Sequence, residues 1–134
     1  RPFHSGILFE GDGIQIWNGN FFSIKQSWFP EAGYGVYDRA GFVAFPPQKR
    51  RLLAEKYNEL WENETGILLH GFDYNQEEMN GPPFSVPADE LKNHFQGKWR
   101  LTLLDEFSRL ESLNKFRQKG LSKLMEQTWW LDRM

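Results

Sequence analysis

Residues 34–47 read Tyr34-Gly35-Val36-Tyr37-Asp38-Arg39-Ala40-Gly41-Phe42-Val43-Ala44-Phe45-Pro46-Pro47. A run of β-formers ends at an Asp-Arg pair, an apolar segment follows, and two prolines open a new element. Tyr34 to Tyr37 reads as a buried strand. Beyond Pro47, residues 48–63 carry Leu53, Tyr57, Leu60 and Trp61 on one helical face, which predicts a helix with Pro47 near its first position. Gly66 is expected to close it, and Ile67-Leu68-Leu69-His70-Gly71-Phe72 reads as a strand buried on both faces. A polar loop over 73–87 leads to a second helix over about 88–95, with Pro87 near its start and Gly97 after it. Residues 99–104 alternate as a strand, and 105–118 are charged and ambiguous. Residues 121–131 fit helix or strand, and Thr128, Trp129 and Trp130 favour strand in the second half. Strands alternating with helices predict an α/β architecture on a mainly parallel sheet. Ligands bind such sheets beyond the carboxyl ends of the strands.

Working towards the N-terminus, Ile7-Leu8-Phe9 and Ile14-Gln15-Ile16-Trp17 flank Glu10-Gly11-Asp12-Gly13, and Asp-Gly between apolar runs predicts a β-hairpin. Asn18-Gly19-Asn20 ends its second strand with turn chemistry, and residues 21–33 read as loop or short helix. Two places past strand ends therefore qualify for binding: Asn18 to Phe22, and Asp38-Arg39. An Arg at the second presents a fixed fork of donors to a carboxylate or to the rim of a heteroaromatic ring. The alternative is an Asp–Arg pair tying a loop to a helix end. At the first, an amide can read a nucleobase edge while Phe stacks on its face, or the segment is a turn followed by core aromatics.

Composition narrows the classes. Sixteen Lys and Arg against eighteen Asp and Glu leave a formal charge of −2, without the basic excess of a nucleic-acid binder. Cysteine is absent, which excludes disulfides, thiolate metal sites and cysteine nucleophiles and fits a reducing compartment. No apolar run is long enough to span a bilayer, and Arg1-Pro2-Phe3-His4 opens no signal peptide. Aromatics reach 16% of the 134 residues, enough for a bulky core or for a pocket that takes a flat ligand. His70, Asp73, Glu77, Glu78 and His94 match no ligand motif, so no metal is expected. Lys49-Arg50-Arg51 reads as a solvated helix face, and Asn63-Glu64-Thr65 is a formal glycosylation sequon. No Gly-rich phosphate loop occurs.

Several stretches together resemble one family. They are Phe9-Glu10-Gly11-Asp12-Gly13-Ile14-Gln15-Ile16-Trp17-Asn18-Gly19-Asn20-Phe21-Phe22 and Tyr37-Asp38-Arg39-Ala40-Gly41-Phe42-Val43-Ala44-Phe45-Pro46-Pro47. Next come Asp73-Tyr74-Asn75-Gln76 with Gly81-Pro82-Pro83-Phe84-Ser85-Val86-Pro87, then Asn114-Lys115-Phe116-Arg117-Gln118-Lys119-Gly120. In this order and spacing the chain resembles thiopurine S-methyltransferases of bacterial type. The resemblance implies a class I S-adenosylmethionine-dependent methyltransferase with a Rossmann-like sheet. It implies that Asn20 and Phe21 lie beside the adenine and that Arg39 sits near cofactor and acceptor. Pro82, Pro83 and Phe84 would border the active-site mouth, and Lys115 would lie over the substrate pocket. The implied reaction is direct displacement, in which a sulfur, selenium or tellurium of a small acceptor takes the methyl group. Catalysis then rests on alignment and exclusion of water, with Arg39 stabilising an anionic heterocycle. The implied setting is cytoplasmic, with a small-molecule thiol or chalcogen partner and neither nucleic acid nor membrane.

The length conflicts with that reading. The family's core opens with a strand and Gly-rich turn, then a strand ending in an acidic ribose ligand, and neither is present in this chain. The implied strand order is third, second, first, fourth, fifth, seventh, sixth. Residues 14–17 stand for the third strand and 34–37 for the fourth, so the sheet is incomplete, lacks its first two strands, and carries an N-terminal β-hairpin. The edge of the fourth strand is then left unpaired. The chain is expected to be the C-terminal three-fifths of a single domain of about 220 residues. Missing strands from another polypeptide, or a rearranged binding module that no longer methylates, are the alternatives. A monomer is expected of the full-length protein, with a swapped dimer open to the fragment.

Overall fold

The computed structural model of the chain describes residues 1–28, 35–61 and 66–134. The chain divides into two compact units, residues 1–32 and 33–134, each described by itself.

In the first unit, strands β1 (Pro2–Phe3), β2 (Gly6–Gly11) and β3 (Ile14–Asn18) form an antiparallel sheet in that order. The predicted hairpin is present. Gly11 pairs with Ile14, leaving Asp12-Gly13 as a two-residue turn with φ of 50° and 78°. A tight hairpin turn of this hand needs positive φ at both positions, which Asp tolerates and Gly adopts freely. The register puts Ile7, Phe9, Ile14 and Ile16 on one face, and all four are exposed. Leu8 and Trp17 pair on the other face, where Leu8 is buried. Short 3-10 turns at Phe21–Ser23 and Gln26–Trp28 follow. The remainder of the predicted loop, and Tyr34 of the predicted strand, lie outside the described residues.

In the second unit, β4 (Gly35–Asp38), β5 (Gly66–Asp73), β6 (Trp99–Ser108) and β7 (Met125–Arg133) form one sheet in the order β4-β5-β7-β6. This is the fourth, fifth, seventh, sixth order that the family resemblance implies. β4 and β5 are parallel, and β7 runs antiparallel to both β5 and β6. Three strands thus share a direction, as expected, but only one of the three pairings is parallel. The sheet is mixed because β7 is inserted against the others.

Helices α1 (Gly41–Ala44), α2 (Pro47–Leu60), α3 (Ala88–Phe95) and α4 (Asn114–Gln118) complete the unit. Pro47 opens α2 as expected, since its fixed φ suits a first helical turn that needs no N–H. The helix ends at Leu60, and residues 62–65, with the sequon's Asn63, lie outside the described residues. Gly66 does not close α2 but opens β5. A Cβ there would lie 2.0 Å from the Trp130 indole, so the neighbouring strand's side chain needs a glycine. β6 continues through residues 105–108, past a bulge at Leu104 that breaks the alternation and leaves Leu103 and Leu104 both exposed.

Ile67, Leu69, Trp129 and Leu131 line the buried sheet face, with Phe42, Leu53, Tyr57 and Phe95 from the helices also buried. β5 is buried on one face, at Ile67, Leu69 and Gly71, while Leu68, His70 and Phe72 on the other are half-buried, so the expected burial on both faces holds for one of them. β4 corrects another expectation. It is an edge strand, and Tyr37 is 61% exposed rather than buried. Arg50 corrects a third. It is not on a solvated face but is 2% exposed, and Arg50 makes bidentate bonds to Glu90 at 2.7 and 2.6 Å.

Candidate functional site

β4 and β5 are parallel neighbours, so the segments after Asp38 and Asp73 leave the sheet on the same side. Asp38 is 4% exposed. Its carboxylate accepts from the Gly41 backbone N–H at 2.8 Å and from the Tyr57 hydroxyl at 2.5 Å. One side chain therefore caps α1 and ties the strand end to α2. A Cβ on Gly41 would sit 2.5 Å from Asp38 Oδ2, so only glycine lets the capping contact form. Burial, the Asp38 charge and the hydrogen bond to it all push the Tyr57 phenol upward, keeping it a donor. The predicted alternative of an Asp–Arg tie is not what forms. The tie is Asp38 to Gly41 and Tyr57, and Arg39 beside it is exposed, with no hydrogen bond or ion pair among the described residues.

The segment after β5 builds the second wall. Gly81-Pro82 and Pro82-Pro83 are both cis. Prolines donate no N–H, so this loop relies on other segments for its polar contacts. The Phe84 N–H donates to Val43 O at 2.7 Å, joining the loop to α1, and the Val86 N–H donates to Phe72 O at 2.7 Å. The Tyr74 hydroxyl donates to Pro83 O at 2.6 Å, and the Tyr74 N–H donates to Ser85 Oγ at 3.0 Å. Gln76 Nε2 donates to Tyr74 Oη at 3.0 Å and to Met79 O at 2.7 Å, while Gln76 Oε1 accepts from the Ser85 N–H at 2.9 Å. Burial pushes the Tyr74 phenol upward, so it too stays protonated as a donor.

α4 closes this side. Its Phe116 is buried in a cluster with Tyr74, Met79, Leu121 and Leu124. Lys115, the next residue, is exposed, with its ammonium 5.0 Å from the Phe116 ring centroid. Asp73 at the end of β5 is pushed upward by burial and by the Glu106 carboxylate, against the opposing charge of Lys123. The structure thus gathers the segments of Arg39, Pro82, Pro83, Phe84 and Lys115 at one end of the sheet.

Asn20 and Phe21 belong to the first unit. Asn20 is exposed, and its Oδ1 accepts from the Phe22 N–H at 3.0 Å, capping the 3-10 turn. Among the described residues its two amide N–H donors and a second lone pair remain for a ligand edge. Phe21 is half-buried, edge-on to Phe22 at 6.1 Å. This donor set fits the adenine end of S-adenosylmethionine. No group of three or more His, Asp or Glu that could hold a metal occurs among the described residues.

Sequence reasoning missed Tyr57, Tyr74 and Gln76 as parts of this site. For Tyr74 and Gln76 the signal was present, since Asp73-Tyr74-Asn75-Gln76 travels with Gly81–Pro87 among the recognised motifs. For Tyr57 no local signal exists, because its partner is 19 residues away.

The profile of the thiopurine S-methyltransferase family matches residues 3–134. The thiopurine S-methyltransferase of Methylococcus capsulatus is 36% identical over 131 residues, covering 97% of this chain and 59% of that protein. Those of Pseudomonas syringae pv. tomato and Nitrosospira multiformis are 34% and 35% identical, covering 94% and 91% of this chain but 57% and 55% of theirs. The chain thus spans less than three-fifths of these relatives' length, on their C-terminal portion. Among solved structures, a SAM-dependent methyltransferase from Anabaena variabilis superposes with a TM-score of 0.53 at 15% identity, over 81% of this chain and 53% of that one. That likeness is one of fold.

Proposed function

The chain belongs to the thiopurine S-methyltransferase family, and on that premise we propose that it forms the C-terminal part of a single methyltransferase domain. The proposed activity is transfer of a methyl group from S-adenosylmethionine to the sulfur, selenium or tellurium of a small, heteroaromatic acceptor such as a thiopurine. The observation that carries this reading is Arg39, an exposed cation with no hydrogen bond or ion pair among the described residues, on a turn held by Asp38, in a segment whose α1 is tied to the Pro82–Phe84 loop through the Phe84 N–H and Val43 O.

S-adenosylmethionine supplies an electrophilic methyl carbon. The chain's own part is to hold the acceptor in line and to favour its anionic form. Arg39 presents a guanidinium that stabilises negative charge on a heterocyclic thiolate. Pro82, Pro83 and Phe84 give an apolar, rigid wall that aligns a flat ring and excludes water. Lys115 adds positive charge on that side. Asn20 and Phe21 are proposed to take the adenine, one at its edge and the other at its face. A thiol of low pKa needs no dedicated general base, and we assign none. The proposed setting is the cytoplasm, with a small-molecule partner and no role for nucleic acid.

The test is Arg39→Ala in the full-length protein. Methyl transfer to a thiopurine falls on the order of a hundredfold, while the folding transition stays within about 0.5 kcal/mol of wild type, as for an exposed residue. Unchanged turnover removes Arg39 from the mechanism. The alternative reading is a non-catalytic ligand or interaction module. Calorimetric titration of S-adenosylmethionine into the 134-residue polypeptide separates the two: no heat at millimolar cofactor excludes catalysis by these residues alone.

A further inference from the structure

The acceptor-side loop lacks the means to hold itself. Across Pro82 and Pro83 there is no backbone donor, and the fold gives this segment no ladder partner. Its polar groups are satisfied from outside: the Phe84 N–H donates to Val43 O, and the contacts on either side of it, at Pro83 O and the Ser85 N–H, lead back to one side chain. Gln76 uses both amide hydrogens and its carbonyl oxygen: one N–H goes to Tyr74 Oη, one to Met79 O, and Oε1 receives the Ser85 N–H. The Tyr74 hydroxyl, accepting from Gln76, donates in turn to Pro83 O. A relay therefore runs from Gln76 through Tyr74 to the backbone of the second proline, and a direct bond reaches the residue after Phe84. Met79 and Ser85 are buried, while Gln76 itself is exposed, so its side chain reaches inward from the surface to part-buried partners.

We propose that Gln76 is a positioning residue for acceptor recognition: through Tyr74 Oη and the Ser85 N–H it fixes Pro82, Pro83 and Phe84 in the conformation that receives the acceptor ring. This rests on the proposed methyltransferase reading. It assigns Gln76 no contact with either substrate, and it separates the acceptor wall from the adenine-side residues Asn20 and Phe21. A glutamine is suited to the task because it donates twice and accepts once from one planar group. Glutamate retains the acceptor but loses both donors and sets a carboxylate against Met79 O. Asparagine keeps the chemistry but is one methylene short.

The test uses the full-length protein with S-adenosylmethionine and a thiopurine. In Gln76→Ala the acceptor KM rises on the order of tenfold, the cofactor Kd stays within twofold, and hydrogen exchange at the Ser85 N–H accelerates. Gln76→Glu shows the same rise, because the missing donors to Tyr74 and Met79 are what matter. If Gln76→Ala fails to fold, Tyr74→Phe removes only the relay's hydroxyl and gives a smaller rise in acceptor KM alone. A purely structural role predicts instead that cofactor Kd, acceptor KM and thermal midpoint move together, and that outcome overturns the proposal. So does an unchanged acceptor KM in Gln76→Ala and Tyr74→Phe. A wild-type protein that binds cofactor but methylates no thiol or chalcogen acceptor overturns the functional reading itself, a result distinguishable because it appears before any substitution is made.

Discussion

Asp38 and Arg39 are adjacent in sequence and opposite in situation. The carboxylate is buried between a backbone N–H and a phenol, while the guanidinium is exposed. Removing one donor from a buried acceptor costs about 1–3 kcal/mol. Tyr57→Phe is therefore expected to lower unfolding stability by that amount in urea titration, and to slow methyl transfer through loss of the turn that carries Arg39. Gly41→Ala should destabilise as well, because its methyl would enter the Asp38 carboxylate. At this scale the sequence singled out Arg39 from its place after a strand. It did not reveal Asp38's partner, since Tyr57 reads by periodicity as an ordinary core aromatic. Its hydroxyl acquires a role only when α2 is laid beside the end of β4.

Between elements, Arg50 and Glu90 join α2 to α3. Arg50 also donates to Phe45 O at 2.7 Å, and His94 lies 3.1 Å from the same Glu90 carboxylate. Burial works against ionisation of Glu90. Hydrogen bonds from His94 and Arg50 and the Arg50 charge outweigh it and hold the carboxyl at about 2, below its ordinary 4.5. Because the folded value lies below the unfolded one, this stabilisation is complete above about pH 4.5 and is lost as pH falls towards 2. Glu90→Gln should flatten the fall in thermal midpoint across that window. Arg50→Met should destabilise by less than the ~3–5 kcal/mol of a fully buried pair, because Glu90 is 25% exposed and keeps His94 at 3.1 Å. The helices themselves were legible from spacing and prolines. The misreading of Arg50 as solvated arose from treating 49–51 as one basic run. Its spacing to Leu53, Ala54 and Tyr57 places it at the head of the buried stripe of α2.

At the scale of the whole molecule, each unit carries exposed apolar residues among those described. Ile7, Phe9, Ile14 and Ile16 cover one face of the hairpin sheet, with Ile14 and Ile16 at 62% exposure, and β4, beside exposed Tyr37, has one strand neighbour among the described residues. Such faces and edges drive association. The 134-residue polypeptide is expected to self-associate in sedimentation experiments, with Ile14→Lys and Ile16→Lys together reducing it. Unchanged association in that double variant would point away from the hairpin face. The strand order of the second unit was legible because the motifs carry it. That the hairpin belongs to its own sheet among the described residues follows from the pairing of Ile14–Asn18 with β2, which alternation of apolar residues does not encode.

The most direct measurement is transfer of labelled methyl from S-adenosylmethionine to a thiopurine by the full-length protein and its Arg39→Ala variant. The expected result is label on the acceptor sulfur with wild type and a loss on the order of a hundredfold in the variant. Absence of transfer by wild type, or equal transfer by both proteins, would contradict the account.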